Sequence, residues 1–523
     1  MHETDISSLK DIVSVSSLVN PLKGGLVFSK GEMMQIRSFK KLGKSTSKIE
    51  LLDNQKENVL RHLEILKTNP FSVDLSVMGT GKTFMSLWVA SKFNPKFLLV
   101  VCTASVVTKW IEVIEEYMSN LSYIVLSYES LSRGSSHNLF NEEFEPSHVF
   151  TNAVENGLIM IIDEFAKVKN KETLNFRALC PLVSYVCRKN YDRSKVIFLS
   201  GLPYDKNRQK EGFLELVGYD DTIEIARKID PVKTKRLIKS QDRIRISMKK
   251  LHARIVDEII FEHFATSAKP FVDKSSLDIK NGLYWISPVR NMELNASVSK
   301  LESLSRGDTH ITKVLIEIEY HKAEIFARKA MEELRARNCK VIIMISFRRT
   351  LSTLLCLLSR FNPLVIEGNM NKEERKEVMK KFQKDDDEYR LLICTLTSSS
   401  HGIDLDDKTG NFPRKLFISP CFRAMNIHQA VYRIFRSDTA SVATVRLVFA
   451  KDKVEYKILE NLSKKNKNAR SSLKKQLEKT SNLYFPGDYS DEVESDKEEY
   501  ESIDYPLSLD SVPDSESESL DLW

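Results

Sequence analysis

Residues 71–92 read FSVDLSVMGTGKTFMSLWVASK, and no other stretch limits the fold as tightly. A β-prone run from Phe71 to Val77 meets a turn holding Gly79 and Gly81, and Lys82 and Thr83 then open a helix through Phe84, Leu87, Trp88 and Ala90. Strand, glycine turn and helix in that order form a phosphate cradle. Glycines let backbone N–H groups close on phosphate oxygens, and the helix N-terminus adds positive potential. Lys82 reaches the β and γ oxygens as a point charge, and the Thr83 hydroxyl can ligate Mg²⁺. The expected nucleotide contacts are Ser76, Val77, Met78, Gly79, Thr80, Gly81, Lys82 and Thr83, with ATP and Mg²⁺ as cofactors. The pattern G-x-x-x-x-G-K-[ST] has glycine where Ser76 stands, and serine is small enough to substitute.

The chain around the cradle alternates continuous apolar runs with helical spacing. Phe97 to Cys102, Tyr123 to Leu126, Leu158 to Ile162 and Val196 to Leu199 read as buried strands, with a helix from Val106 to Tyr117. Uninterrupted apolar strands separated by helices imply a parallel sheet covered on both faces. Ligands bind such sheets at the carboxyl ends of the strands. Thr83, Asp163 and Ser200 all fall there. From Tyr219 to Lys340 the pattern loosens into charged helices, chiefly Lys233 to Arg254 and Ile316 to Arg337. A second α/β set follows, with strands at Val341 to Ile345, Leu364 to Ile366, Leu391 to Cys394, Lys415 to Ile418 and Val445 to Phe449, and with no phosphate loop of its own.

Two clusters carry chemistry beyond the cradle. LIMIIDEF puts Asp163 and Glu164 at the exit of a buried strand, where phosphoryl transfer needs one carboxylate for Mg²⁺ and one to orient the attacking water. QAVYRIFR places Gln429, Arg433 and Arg436 at helical offsets of four and three, which predicts one shared face in an otherwise apolar helix. Such arginines can serve as fingers on a γ-phosphate.

Charge points to a polyanionic partner. The net of +7 hides an asymmetry: residues 488–523 hold fourteen Asp and Glu against Lys497 alone, a net of −13, which leaves +20 on residues 1–487. A tethered tail of that charge would compete with nucleic acid for the basic body. The seven cysteines show no C-x-x-C spacing, so neither a disulfide framework nor a zinc site is indicated, and a reduced intracellular compartment follows. No apolar run reaches about 18 residues, which predicts no membrane span.

These residues resemble the superfamily 2 helicases, specifically the Swi/Snf branch of double-stranded DNA translocases, in the compact form found in large DNA viruses. The match runs in family order from Gln55 through MGTGKT (Met78 to Thr83), LLVVCTASVVTKW (Leu98 to Trp110), DEFAKVKN (Asp163 to Asn170), FLSGLPYDKN (Phe198 to Asn207), VIIMISFRRTL (Val341 to Leu351), IEGNMNKEER (Ile366 to Arg375), TSSSHGIDL (Thr397 to Leu405) and QAVYRIFR (Gln429 to Arg436). Trp110 and the pair Lys169-Asn170 are the features most particular to the branch. Ala166 stands where the family usually has histidine, Leu202 replaces the usual threonine, and RSDT at Arg436 to Thr439 lacks the usual glycine-glutamine ending.

The resemblance implies an α/β fold of two RecA-like parallel-sheet lobes, a helical insertion between them and a disordered acidic C-terminal tail. It divides the chain into an N-terminal extension (1–45), an ATP-binding lobe (46–220), a helical insertion and interlobe connection (221–325), a C-terminal lobe (326–462), a basic segment (463–486) and the tail (487–523). It gives Gln55 an adenine-reading role, makes Asp163, Glu164, Phe165 and Ala166 the acidic box, and assigns coupling to Ser200, Gly201, Gly402 and Asp404. ATP would be hydrolysed at the interlobe cleft during movement along nucleic acid, with double-stranded DNA favoured and RNA as the other track. RNA polymerase or transcription factors are the implied protein partners. A soluble protein of the host nucleus or cytoplasm, or one packaged in a virion, is the expected setting. Two other readings stand beside this one: a strand-separating RNA or DNA helicase, and a catalytically silent scaffold in a transcription or virion complex.

Overall fold

The computed structural model describes residues 36–37, 49–118, 121–133, 139–201, 203–204, 209–219, 221–244, 247–268, 277–304, 310–336, 338–368, 370–396, 403–436, 439–451, 458, 462, 464–465 and 493–495. They divide into two compact units, one up to Ala268 and one from Leu277 onward. Each is built on a seven-stranded sheet. The N-terminal extension, apart from residues 36–37, lies outside the described residues. So do Leu202, Gly402 and most of the basic segment and acidic tail.

The first sheet contains β1 (Ile36–Arg37), β2 (Phe71–Asp74), β3 (Phe97–Cys102), β4 (Ser122–Ser127), β5 (Leu158–Asp163), β6 (Lys195–Leu199) and β7 (Ala265–Thr266), in the order β1-β4-β3-β5-β6-β2-β7. Every pairing is parallel except that of β1 with β4. The apolar strands are buried on both faces, with Val100, Ile159, Ile161 and Ile197 fully enclosed between helices. Register then places the chemistry. Asp163 pairs with Leu199 and Leu199 with Asp74, so three neighbouring strands end on one row and their exit loops leave the same edge of the sheet.

The expected strand from Phe71 to Val77 stops at Asp74. Its carboxylate turns back and accepts from the Ser76 backbone N–H at 2.8 Å, an Asx turn that ends the ladder and starts the glycine loop.

The second sheet contains β8 (Leu277–Tyr284), β9 (Lys340–Ile345), β10 (Leu364–Ile366), β11 (Leu391–Thr395), β12 (Arg414–Ile418), β13 (Ala443–Ala450) and β14 (Val493–Ser495), in the order β10-β11-β9-β12-β13-β8-β14 and parallel throughout. The division between the units falls inside the stretch expected as a helical insertion. Helices Thr222–Ile229, Pro231–Ile244 and Met248–Ile255 lie in the first unit, and helices Pro288–Ser303, Ile311–His321 and Ala323–Ala336 in the second. β8 has no continuous apolar run to mark it in the sequence, because its buried and half-buried residues alternate around Lys280 and Gly282. The long helices expected at Lys233 to Arg254 and Ile316 to Arg337 are each two. The second pair breaks at Lys322, which is buried and donates to the Val448 carbonyl at 3.2 Å.

Candidate active site

Gly79 and Gly81 adopt φ of 81° and 84°, in the left-handed region where a side chain is strained. Gly81 caps the helix Lys82–Ser91, and a Cβ on it would stand 2.4 Å from the Gln55 Nε2. That amide lies against the loop, donating to the Thr80 carbonyl at 2.8 Å while its oxygen accepts from the Leu52 N–H at 3.0 Å. Gln55 and the cradle, 27 residues from Gln55 to Lys82 in sequence, are thus in contact.

Ser76 is fully buried and has negative φ, so its position makes no demand for glycine. Its hydroxyl accepts from the Ala268 N–H at 2.7 Å, and Asn58 Nδ2 lies 3.4 Å away. The serine therefore fastens the loop to the segment after β7, a bond that glycine lacks. Lys82 folds over the loop and donates to the carbonyls of Ser76 at 2.8 Å and Val77 at 3.1 Å. The Thr80 hydroxyl also donates to Val77, at 2.8 Å. Gly201, at the end of β6, packs on the same loop: a Cβ there would meet the Ser76 carbonyl at 3.4 Å and the Met78 nitrogen at 3.5 Å. Thr83, in the first turn of the helix, is half-buried.

The acidic pair follows β5. Asp163 accepts from the Trp110 indole N–H at 2.9 Å, and its backbone carbonyl accepts from the Tyr128 hydroxyl at 2.8 Å. Burial pushes the Asp163 carboxyl above its ordinary range, opposed by Trp110 and by the charge of Lys82. Glu164 is raised too, first by burial and then by Asp163, with Lys82 again opposing. Its backbone is left-handed (φ 55°, ψ 51°), a conformation that costs a non-glycine residue about 1–3 kcal/mol and clusters at functional sites. The Ser200 hydroxyl lies 3.3 Å from the Glu164 carboxylate. Phe165 is buried among Phe198, Tyr204 and Phe213, with centroids at 5.4, 6.0 and 5.8 Å, and Ala166 is buried beside it.

Beneath the loop lies a network that motif reading passed over. Asp74 is wholly buried, which works against its charge, yet His62 at 3.4 Å, Lys82 and Ser76 hold its carboxyl below the ordinary range. Asn58 donates to it at 3.1 Å, and His62 meets the Ser72 hydroxyl at 2.8 Å. The visible signal was an acid inside the apolar run FSVDLSV.

In the second unit, the helix Ala424–Ile434 ends two residues before Arg436, and Phe435 is extended (φ −130°, ψ 111°). The expectation of one helical face for Gln429, Arg433 and Arg436 is corrected accordingly. Gln429 and Arg433 share the helix and Arg436 does not. The two arginines still converge, because each donates to the Ile403 carbonyl at 3.2 Å, and Arg436 also pairs with Asp404 at 2.5 Å. Gln429 is buried. The turn after β9, where a phosphate loop would stand, is filled from within: the Glu319 carboxylate accepts from the backbone N–H groups of Ser346 at 2.8 Å and Phe347 at 2.9 Å. Of the basic segment, Lys464 is exposed, whereas Lys465 is buried with its ammonium on the Phe422 carbonyl.

A model of the helicase conserved C-terminal domain matches residues 323–438. Over 477 residues the chain is 24% identical to "Putative ATP-dependent RNA helicase L364" of Acanthamoeba polyphaga mimivirus, which covers 84% of this chain and 86% of the relative. Among solved structures it is similar to the Sulfolobus solfataricus SWI2/SNF2 ATPase core in complex with dsDNA, at 16% identity and a TM-score of 0.32 over 84% of this chain and 99% of that one. It is also similar to the same core domain described alone, at 16% identity and a TM-score of 0.31 over 84% and 93%. The second unit thus carries the match to a helicase conserved C-terminal domain, and the chain as a whole is similar to a viral protein described as a helicase.

Proposed function

We propose that the protein is a nucleic-acid-dependent ATPase that binds ATP at Ser76 to Thr83 and couples its hydrolysis to movement along DNA. The observation that carries this reading is the hold of Lys82 on the carbonyls of Ser76 and Val77, in a loop whose neighbours on the same sheet edge are Asp163 and Glu164. Phosphate oxygens are charged acceptors and make stronger partners for an ammonium than two amide carbonyls, so nucleotide would draw Lys82 out of the loop. Glu164, within reach of Ser200, would accept a hydrogen bond from the attacking water and orient it. The Thr83 hydroxyl and the Asp163 carboxylate would hold Mg²⁺, which would supply charge neutralisation to the phosphates. Mg²⁺ beside a nucleotide takes only one or two protein carboxylates. That fits the described residues, which hold no group of three or more His, Cys, Asp or Glu suited to a metal.

Trp110 and Lys169-Asn170 favour double-stranded DNA as the track, and the mimivirus relative's name favours RNA. An RNA polymerase or transcription factor is the protein partner that the resemblance implies. Steady-state ATPase measured side by side with single-stranded DNA, duplex DNA and RNA tests the reading, with the largest stimulation expected from duplex DNA. Equal rates with and without all three would overturn it. Strand displacement from a plain duplex, in place of triplex disruption alone, would instead favour the strand-separating reading.

A further inference from the structure

β14 comes from the acidic tail and lies parallel on the outer edge of β8, with Val493 opposite Asn281, Glu494 opposite Gly282 and Ser495 opposite Leu283. Side chains alternate along a strand, so Asp278, Lys280, Gly282 and Tyr284 line one face of β8. On the other side of β8, Arg446 of β13 stands in register with Lys280.

Gly282 is the opening through which this face reaches the tail. A Cβ there would stand 2.3 Å from the Tyr284 ring, so only glycine lets that ring lie over the strand, where its hydroxyl donates to the Glu494 Oε1 at 2.9 Å. Arg446, itself buried, crosses β8 and meets the Glu494 Oε2 with its Nε at 2.8 Å and its Nη2 at 2.6 Å. Both carboxylate oxygens are therefore bonded. The guanidinium is positioned independently of the tail, since Nη2 also pairs with Asp278 at 2.7 Å and Nη1 donates to the carbonyls of Val445 at 2.9 Å and Asp278 at 3.2 Å. The Lys329 ammonium sits 4.7 Å from the centroid of the Tyr284 ring and adds a second positive charge behind it. Burial opposes the charge of Glu494, but Arg446, Tyr284 and Lys329 outweigh it and hold the carboxyl below its ordinary range.

The strand contact is short. A three-residue strand contributes little by itself and depends on the tether for its local concentration. Glu494 walls a polar cavity of about 270 Å³ lined also by Lys329, Glu332, Lys415 and Arg446.

We propose that the β8 edge, with Arg446 and Tyr284 behind it, is a docking site for an acidic extended segment, and that its occupant is the chain's own Val493–Ser495, held in cis as a displaceable strand. This inference stands apart from the ATPase reading, because its test reads binding and not turnover.

The test pairs the full chain with a chain truncated after Pro486 and uses a fluorescent peptide of residues 488–500 followed by anisotropy. The truncated chain should bind the peptide, and the full chain about ten-fold more weakly or worse, because its tethered copy competes at high effective concentration. A Glu494→Gln peptide should lose about ten-fold or more, as expected when one partner of a hydrogen-bonded charge pair is removed. Equal binding of a shuffled peptide, or equal binding to both chains, would reduce the effect to general polyanion attraction and overturn the proposal. Amide hydrogen exchange on the full chain guards against a misfolded truncation: Val493–Ser495 should be protected, and Glu494→Lys should remove that protection while leaving β9 and β12 unchanged. Absent protection in the native chain would overturn the proposal. Protection that appears only in a concentration-dependent dimer would give the site to a second copy and overturn the cis assignment.

Discussion

The Trp110 indole donates to the Asp163 carboxylate at 2.9 Å, across 53 residues of sequence. A residue that the sequence marks only as a branch signature thereby becomes a positioning residue for the acid proposed to hold Mg²⁺. The bond also offsets part of the burial that raises the Asp163 carboxyl. Trp110→Phe keeps the apolar packing and removes the donor. Half-saturating Mg²⁺ in the ATPase reaction should rise about 10–100-fold, the usual loss for the partner of a metal ligand, with the apparent affinity for ATP little changed. A Mg²⁺ titration of the variant that matches the native protein would leave Trp110 with a packing role alone.

Lys82→Ala should abolish hydrolysis, because the β and γ oxygens lose their main side-chain positive charge. Glu164→Gln should retain nucleotide binding and stall turnover, since an amide can hydrogen-bond to water without the charge that orients it for attack. Nucleotide-binding fluorescence beside steady-state ATPase separates the two outcomes. Near-native turnover in either variant would remove the role assigned to that residue.

Arg433→Ala and Arg436→Ala should leave nucleotide affinity largely intact and lower turnover by about 10³ or more, the scale of arginine-finger loss in phosphoryl transfer. Both guanidiniums bond the Ile403 carbonyl, so the double variant should lose less than the sum of the single effects. A fragment of residues 46–268 that hydrolyses ATP as fast as the whole chain would deny both arginines a part in the chemistry.

Asp74 predicts a pH effect on stability. Its folded carboxyl lies below the ordinary value of 3.8, so the folded state binds its proton less tightly than the unfolded chain. That stabilisation is fully present above pH 3.8 and is lost as pH falls through the folded value. Asp74→Asn should destabilise the protein at neutral pH by about 1.5–3 kcal/mol, the range for hydrogen bonds to a charged group. The cost should shrink as pH falls below 3.8, because the unfolded carboxyl takes up its proton there before the native one does. Denaturant melts at pH 7 and in the acid range measure both. A cost independent of pH would assign the effect to shape and not to charge.

The two α/β cores are legible in the amino-acid order, because continuous apolar strands, glycine turns and helical spacing are short-range patterns. FLLVVC and LIMII leave little choice but burial on both faces of a sheet. The cradle is legible there too, since strand, Gly79, Gly81 and Lys82 are contiguous and their geometry follows from local backbone freedom. Tertiary structure alone decided whatever depends on partners distant in sequence. That Ser76 replaces glycine by bonding Ala268 is a contact across 192 residues. That Glu319 fills the turn after β9 rests on bonds across 27 and 28 residues, which no motif announces. Helical spacing put Arg436 on a face with Arg433, whereas the chain leaves the helix at Phe435 and the Ile403 carbonyl brings the two together. β8 and β14 show the same limit, because Gly282 and Glu494 look like loop and tail residues until Arg446 and Tyr284 are placed behind them. Local propensity acts through neighbours in the chain, while ion pairs, caps and edge strands are chosen by whichever distant group offers the complementary charge or hydrogen bond.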